Sequence, residues 1–143
     1  KSLTEIDAGQ ALQTWIMNFL EIAQLCDRII DANDKARIVV MGSESGFKGS
    51  YDQCYAGAKA ALHRYVETRK LRTPDQMLVA IAPHIISDGG MTQRRPDLDF
   101  VMARGEQTRI GRWITAREVA EVARWLLYDA PVFVSNAVIR LAG

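Results

Sequence analysis

Residues 36–59 read ARIVVMGSESGFKGSYDQCYAGAK, a stretch that joins an apolar run to a helix through a loop of glycine and serine. The apolar run covers residues 36–41 and is interrupted only by Arg37, as is typical of a parallel strand that is buried on both faces. Helical periodicity then predicts a helix from about residue 52 to residue 69. The stretch therefore predicts a strand, a polar loop and a helix in direct succession.

Tyr55 and Lys59 lie four residues apart in this predicted helix, so their side chains share one face. A nearby ammonium stabilises a phenolate and lowers the pKa of the tyrosine toward neutral pH. A tyrosine of this kind can exchange a proton with an alcohol or a carbonyl oxygen. We therefore identify Tyr55 as a candidate general acid and base, with Lys59 as the residue that lowers its pKa.

Two serines of the loop are candidates for binding the same substrate oxygen. Ser43 lies at the exit of the predicted strand, and Ser45 lies two residues further along the chain. A serine hydroxyl both donates and accepts a hydrogen bond, which suits it to orient either a carbonyl or an alcohol.

The rest of the chain continues the alternation of helices and strands. Residues 7–31 have helical periodicity, residues 77–82 are predicted as a second buried strand ended by Pro83, and residues 131–141 as the last strand. A capping box formed by Thr115 and Glu118 precedes another predicted helix. This order predicts an α/β fold in which a parallel sheet carries helices on both faces.

The composition disfavours several classes of function. The chain has 143 residues, 48% of them hydrophobic and 24% charged, with a net charge of +1. This balance does not favour nucleic acid or an acidic membrane as a partner, and no apolar run reaches the length of a membrane span. Cys26 and Cys54 lack metal-ligand spacing, so we interpret them as reduced structural thiols of a cytoplasmic protein and predict no metal site.

Taken together, these motifs resemble the short-chain dehydrogenase/reductase (SDR) family, whose active site combines a serine with Tyr-x-x-x-Lys. The shared pattern is the apolar strand, Gly-Ser-x-x-Gly at residues 42–46, and Tyr55 to Lys59 followed by Ala-Ala-Leu. The resemblance implies the C-terminal part of a doubly wound Rossmann-like sheet, a cofactor that is NAD or NADP, and interconversion of an alcohol and a carbonyl compound. The family's dinucleotide fingerprint, G-x-x-x-G-x-G, is absent from this sequence, so we expect residues 1–143 to form one segment, the C-terminal half of such a domain.

The resemblance also implies roles for individual residues. Ser43 precedes Gly46 by three residues, as the family's catalytic serine does, and is therefore preferred over Ser45 for orienting the substrate oxygen. Lys59 would also bind the nicotinamide ribose. Asn18 would hold a water in a proton relay that leads to the lysine.

A further set of cofactor contacts is implied after the second strand. Here the family has Pro-Gly-x-Val or Pro-Gly-x-Ile, and this chain has Pro83-His84-Ile85-Ile86. The candidate cofactor-binding residues are Tyr55, Lys59, Pro83, Ile86 and Ser87. His84 replaces a glycine of the family pattern, and Asp88 replaces a threonine.

Two expectations concern partners. Family members act on small-molecule carbonyl or alcohol substrates, and their helices equivalent to residues 7–31 and 52–69 form a dimer interface, so we expect a homo-oligomer, either a tetramer or a dimer. The alternative is a non-catalytic fragment or pseudoenzyme that serves as an assembly or binding module. The missing fingerprint and the altered loop after Pro83 favour this alternative.

Residues 84–107 have two interpretations. One is a solvated loop with a short helix near residues 97–103. The other is a lid that closes over the substrate, with Gly89 and Gly90 as hinge points.

Overall fold

A computed structural model describes residues 5–143 as a three-stranded parallel sheet with helices on both faces. The helices are α1 (Ala8–Trp15), α2 (Glu21–Ala32), α3 (Ser45–Lys48), α4 (Gln53–Thr68), α5 (Gly90–Gln93), α6 (Leu98–Ala103) and α7 (Ala116–Tyr128). The strands are β1 (Arg37–Met41), β2 (Met77–Pro83) and β3 (Val138–Leu141). A π-helical turn (Ile16–Leu20) joins α1 to α2, and short 3-10 helices cover Arg104–Gln107 and Val132–Val134. The predicted α/β class is confirmed.

The central strand of the sheet is β2, which pairs in parallel with β1 on one side and with β3 on the other. Arg37 pairs with Met77 and Met41 with Ile81, so β1 lies along the first five residues of β2. Every residue of β2 is buried, which explains its uninterrupted apolar sequence. Because all three strands are parallel, their carboxyl ends meet at one edge of the sheet.

Two cores form because successive side chains of β2 point to opposite faces. Leu78 and Ala80 face α2 and α4, whereas Met77, Val79 and Ile81 face α7. The first core also contains Cys26, Ile30, Val40, Leu62 and Val66, and the second Val119, Leu126 and Ala130. Among residues 5–143, no helix is both long enough and apolar enough to cross a bilayer.

Residues 131–141 were predicted as one strand, and this prediction is wrong in its first half. Pro131 precedes the 3-10 helix Val132–Val134, and Asn136 adopts a positive φ of 60°. This left-handed conformation is incompatible with an extended strand. The Asn136 side chain donates hydrogen bonds to the carbonyl oxygens of Val66 and Arg69, at 2.7 and 2.9 Å. Strand pairing therefore begins only after this tie to the end of α4.

Residues 84–107 contain α5, α6 and a 3-10 helix, and α6 confirms the predicted short helix near residues 97–103. The buried Trp113 side chain donates from Nε1 to the Val101 carbonyl oxygen at 2.7 Å. This bond attaches α6 to the chain that leads into α7. The lid function remains a prediction.

Gln76 ties the entry of β2 to the end of α2. Its buried amide nitrogen donates to the carbonyl oxygens of Ile30 and Asn33, both at 2.7 Å, and its Oε1 accepts from the Arg72 N–H at 2.8 Å. The same Oε1 also accepts from the Thr73 N–H at 3.4 Å. One side chain therefore satisfies four backbone groups, and each of these groups would otherwise need another partner.

Replacing Gln76 with Met keeps the volume of the side chain but leaves these backbone groups without their partner. We expect the free energy of unfolding to fall by about 3 kcal/mol, measured by urea denaturation of the full-length protein. Gln24→Met, at an exposed position of α2, is the control and should change it by less than about 0.5 kcal/mol. Equal effects of the two substitutions would contradict the role of Gln76.

Candidate active site

The candidate residues gather at the carboxyl edge of the sheet, where open parallel sheets bind their ligands. Ser43 lies just after β1, and Pro83 is the last residue of β2. The first turns of α4 carry Tyr55 and Lys59 to the same edge. The fold therefore brings together residues that the sequence analysis selected from three separate elements.

Lys59 is a buried cation that is anchored to the end of β1. Its Nζ donates to the Met41 carbonyl oxygen at 2.9 Å, and only 7% of the residue is exposed. The same Nζ lies 5.6 Å from the centroid of the Tyr55 ring. The side chains of Tyr55 and Lys59 are therefore neighbours, as their spacing predicts. Burial lowers the pKa of Lys59.

The pKa of Tyr55 is raised by burial, and a hydrogen bond with the Ser43 side chain opposes this shift. The negative charge of Asp52 adds to the rise. This net direction is opposite to the predicted lowering by Lys59. The physical reason is that loss of water around the phenol disfavours the phenolate more than its surroundings favour it. Tyr55 is therefore firmly protonated at neutral pH.

Of the two candidate serines, it is Ser43 that borders the Tyr55 hydroxyl. Ser45 makes two contacts with the Ser43 hydroxyl. The two hydroxyl oxygens lie 2.7 Å apart, and the Ser45 N–H donates to the Ser43 Oγ at 3.3 Å. The preference for Ser43 agrees with this arrangement. Its catalytic role remains a prediction.

Asn18 lies in the π-helical turn Ile16–Leu20, inside a stretch predicted as one regular helix. Its Nδ2 donates to the Thr14 carbonyl oxygen at 3.0 Å. Turns of this type occur frequently at functional sites, and this one packs against α4. The proposed relay to Lys59 stays a prediction.

The loop after β2 is held by the segment that precedes α7. The ring of His84, which replaces a glycine of the family pattern, stacks on Trp113 with ring centroids 4.8 Å apart. The His84 side chain is therefore packed and not free in the loop. Ile86 pairs with Ile114, and the Ser87 N–H donates to the Ile114 carbonyl oxygen at 2.9 Å. The loop that contains Pro83, Ile86 and Ser87 is therefore held at the carboxyl edge of the sheet by backbone contacts with Ile114.

Asp88, which replaces a threonine of the family pattern, is committed to α7. Its Oδ1 accepts from the Ala116 N–H at 2.7 Å, at the amino end of that helix. A carboxylate is stabilised at this end by the helix dipole.

The sequence analysis missed an ion pair that joins the Ser43 loop to β3. Glu44 is 3% exposed, and Arg140 donates to both of its carboxylate oxygens, with one distance of 3.0 Å between Nε and Oε2. Lys48 lies 3.3 Å from the same carboxylate. Hydrogen bonding to Arg140 lowers the pKa of Glu44. The sequence carried no specific signal for it: Arg140 interrupts an apolar strand, but so does Arg37, whose guanidinium donates to backbone carbonyl oxygens instead.

His63 was also missed, although it continues the spacing of Tyr55 and Lys59 by one more helical turn. It is buried beneath the loop, and its Nε2 accepts from the Ser43 N–H at 3.2 Å. Within residues 5–143, no group of three or more His, Cys, Asp or Glu side chains is arranged to hold a metal ion.

Comparison with known proteins identifies the fold. No protein-family model matches the sequence, and no curated protein matches it. Solved structures do match: the 3-hydroxyacyl-CoA dehydrogenase type-2 of Mycobacterium avium has a TM-score of 0.80 and 20% identity, and covers 96% of this chain. BdcA in complex with NADPH has a TM-score of 0.81 and 18% identity over 99% of the chain. A variant actinorhodin polyketide ketoreductase with NADPH has a TM-score of 0.85 and 18% identity over 99%.

The matched region is 57%, 59% and 61% of those three proteins, so the chain spans about three fifths of their length. Identities this low establish the fold. The predicted resemblance is therefore confirmed at that level: the chain has the Rossmann-type fold of the C-terminal part of the short-chain dehydrogenases/reductases.

Proposed function

We propose that the protein is an NAD(P)-dependent oxidoreductase of the SDR family that interconverts an alcohol and a carbonyl compound. The observation that carries the proposal is the meeting of Ser43, Tyr55 and buried Lys59 at the carboxyl edge of a parallel sheet. The likeness to two NADPH-bound structures supports the same cofactor class for this chain. The two free thiols, Cys26 and Cys54, agree with a cytoplasmic location.

The residues present fit a nicotinamide nucleotide. An ammonium has three N–H donors, and the Lys59 Nζ donates to Met41, so donors remain for ribose hydroxyls. Tyr55 would also contact the ribose hydroxyls, and the loop that contains Pro83, Ile86 and Ser87 would border the nicotinamide. When bound, the cofactor supplies or accepts the hydride.

In this proposal the protein's own residues handle the substrate oxygen and its proton. Ser43 binds and orients the oxygen through its hydroxyl. Tyr55, which burial keeps protonated, donates its proton to that oxygen during carbonyl reduction. As the phenolate forms, the Lys59 ammonium beside the ring stabilises it. Reversal of these steps oxidises an alcohol.

Tyr55→Phe removes the proton donor and keeps the ring. We expect kcat to fall at least about 100-fold in the full-length protein, because general acid catalysis contributes about 10²–10⁴-fold. The assay follows NADPH or NADH absorbance with a panel of ketones and aldehydes. NADPH affinity, measured by fluorescence titration, should be retained.

Tyr128→Phe is the matched control, since Tyr128 is 76% exposed, and it should retain wild-type kcat. Undiminished turnover in Tyr55→Phe would rule out its proton-transfer role. Wild-type protein that binds neither NADPH nor NADH would instead favour the assembly or binding module.

We also propose that the protein is a homo-oligomer, a tetramer or a dimer. The helical segment from α1 to α2 exposes large apolar side chains at Leu12, Trp15, Met17, Leu20, Leu25 and Ile29. A second exposed group contains Trp125 and Phe133. Apolar surface of this extent is typical of interaction sites.

Light scattering on the full-length protein at micromolar concentration should give the mass of two or four chains. Leu20→Glu should raise the dissociation constant at least about fivefold, because a charge replaces an apolar contact at the interface. Gln107→Glu, at an exposed position outside both apolar groups, adds the same charge without removing an apolar group and is the control. A monomeric wild type would contradict this proposal.

A further inference from the structure

His63 lies directly beneath the loop that carries Ser43. The histidine is 4% exposed, and its ring stacks on Phe47 with centroids 4.7 Å apart. A Cβ atom added at Gly42 would lie 2.3 Å from the His63 Nε2, and one added at Gly46 would lie 2.6 Å from its Cε1. The loop therefore follows the surface of the imidazole so closely that side chains are excluded at both positions.

The Ser43 N–H is the backbone donor that this ring satisfies. Its neighbours bond to β2: the Gly42 N–H donates to the Ile81 carbonyl oxygen at 2.7 Å, and the Glu44 N–H to that of Pro83 at 2.9 Å. The intervening N–H instead meets the His63 Nε2 at 3.2 Å. His63 thus accepts from the N–H that does not bond to β2. That N–H belongs to Ser43, the residue whose hydroxyl borders Tyr55.

We infer that His63, in its neutral form with the proton on Nδ1, is a positioning residue that holds Ser43 in place for the reaction. This inference rests on the proposed function. It assigns to His63 a contact with the Ser43 backbone and none with substrate or cofactor.

The hydrogen-bonding state of the ring supports this assignment. A nitrogen that accepts a hydrogen bond carries no proton, so the proton of a neutral ring is on Nδ1. Within the described part of the chain, His63 Nδ1 is buried and has no hydrogen-bond partner. An unpaired buried donor costs free energy. In this tautomer the cost falls on Nδ1, and Nε2 carries no proton and can accept from the Ser43 N–H.

Protonation would convert the acceptor into a donor that faces the Ser43 N–H. Burial and the positive charge of Lys59 lower the pKa of His63, whereas Glu67 and Glu44 raise it. The Arg140 guanidinium carbon lies 4.7 Å from the centroid of the Phe47 ring, and Lys48 pairs with Glu44. Because the net shift is downward from 6.5, the neutral form prevails at pH 7, and the acceptor is lost only as the pH falls below 6.5.

Two substitutions separate the acceptor from the bulk of the ring. His63→Gln offers a carbonyl oxygen that cannot titrate, and His63→Leu offers a similar volume without an acceptor. NMR on the full-length protein measures the hydrogen-exchange protection factor of the Ser43 amide. The Gly42 and Glu44 amides, which bond to β2, are internal controls.

At pH 7.5 we expect His63→Leu to lower the Ser43 protection factor at least about tenfold, the equivalent of one hydrogen bond, while both control amides stay unchanged. His63→Gln should retain the protection. In the wild type the protection should fall as the pH drops below 6.5, and in His63→Gln it should not. Long-range 1H–15N correlation of the wild-type ring should show the proton on Nδ1.

Activity provides a separate readout. His63→Leu should lower kcat by about tenfold without changing NADPH affinity, whereas His63→Gln should keep the wild-type kcat. The kcat of the wild type should fall as the pH drops below 6.5, and that of His63→Gln should not. The inference is overturned by a proton on Nε2, by unchanged Ser43 protection in His63→Leu, or by an equal loss of protection at all three amides. If the wild type shows no turnover, the proposed function fails, and the NMR measurements still test the positioning of Ser43.

Discussion

The candidate site depends on one buried charge, the Lys59 ammonium that donates to the last carbonyl group of β1. Burial of a charge costs free energy unless the charge is hydrogen-bonded. The bond to Met41 offsets part of that cost and ties the amino-terminal half of α4 to the carboxyl edge of the sheet. Tyr55 and His63 lie one turn before and one turn after Lys59 on the same helix. The helix thereby carries a phenol, an ammonium and an imidazole in a row at four-residue spacing.

That loop is restrained from three sides, which explains why Ser43 can have a defined position without a regular strand around it. β2 accepts the N–H groups of Gly42 and Glu44, and His63 accepts that of Ser43. The ion pair between Glu44 and Arg140 adds a tie to β3. All three strands and α4 therefore contribute to the position of one hydroxyl group, which is the kind of preorganisation that catalysis requires.

The sequence predicted the regular elements well because their signals are local. The apolar runs in β1 and β2, the periodicity of α4 and the capping box at Thr115 each depend on neighbouring residues. Burial on both faces was predicted for β1 as well as β2, but only β2 is fully buried: among residues 5–143, β1 pairs with β2 alone, and within it only Val40 is buried. The start of β3 could not be predicted, because the left-handed conformation of Asn136 follows from distant carbonyl groups at the end of α4.

The site was only partly predictable for a related reason. The spacing of Tyr55 and Lys59 correctly predicted that they are neighbours, but it could not reveal how deeply they are buried. Burial is a property of the whole fold, and it reverses the expected direction of the Tyr55 pKa. His63 and the partners Glu44 and Arg140 carry no family motif, and only the packing of α4 and β3 brings them to the loop.

We propose that the buried Lys59 ammonium belongs to a nicotinamide nucleotide site. Fluorescence titration of the full-length protein with NADPH and with NADH, in the wild type and in Lys59→Met, tests it most directly. We predict saturable binding of at least one of the two nucleotides by the wild type, weakened at least about tenfold in Lys59→Met, because a charged hydrogen bond is worth about 1.5–3 kcal/mol. The exposed control Lys70→Met should bind like the wild type. No binding by the wild type, or equal affinity in Lys59→Met, would contradict a role of Lys59 in nucleotide binding.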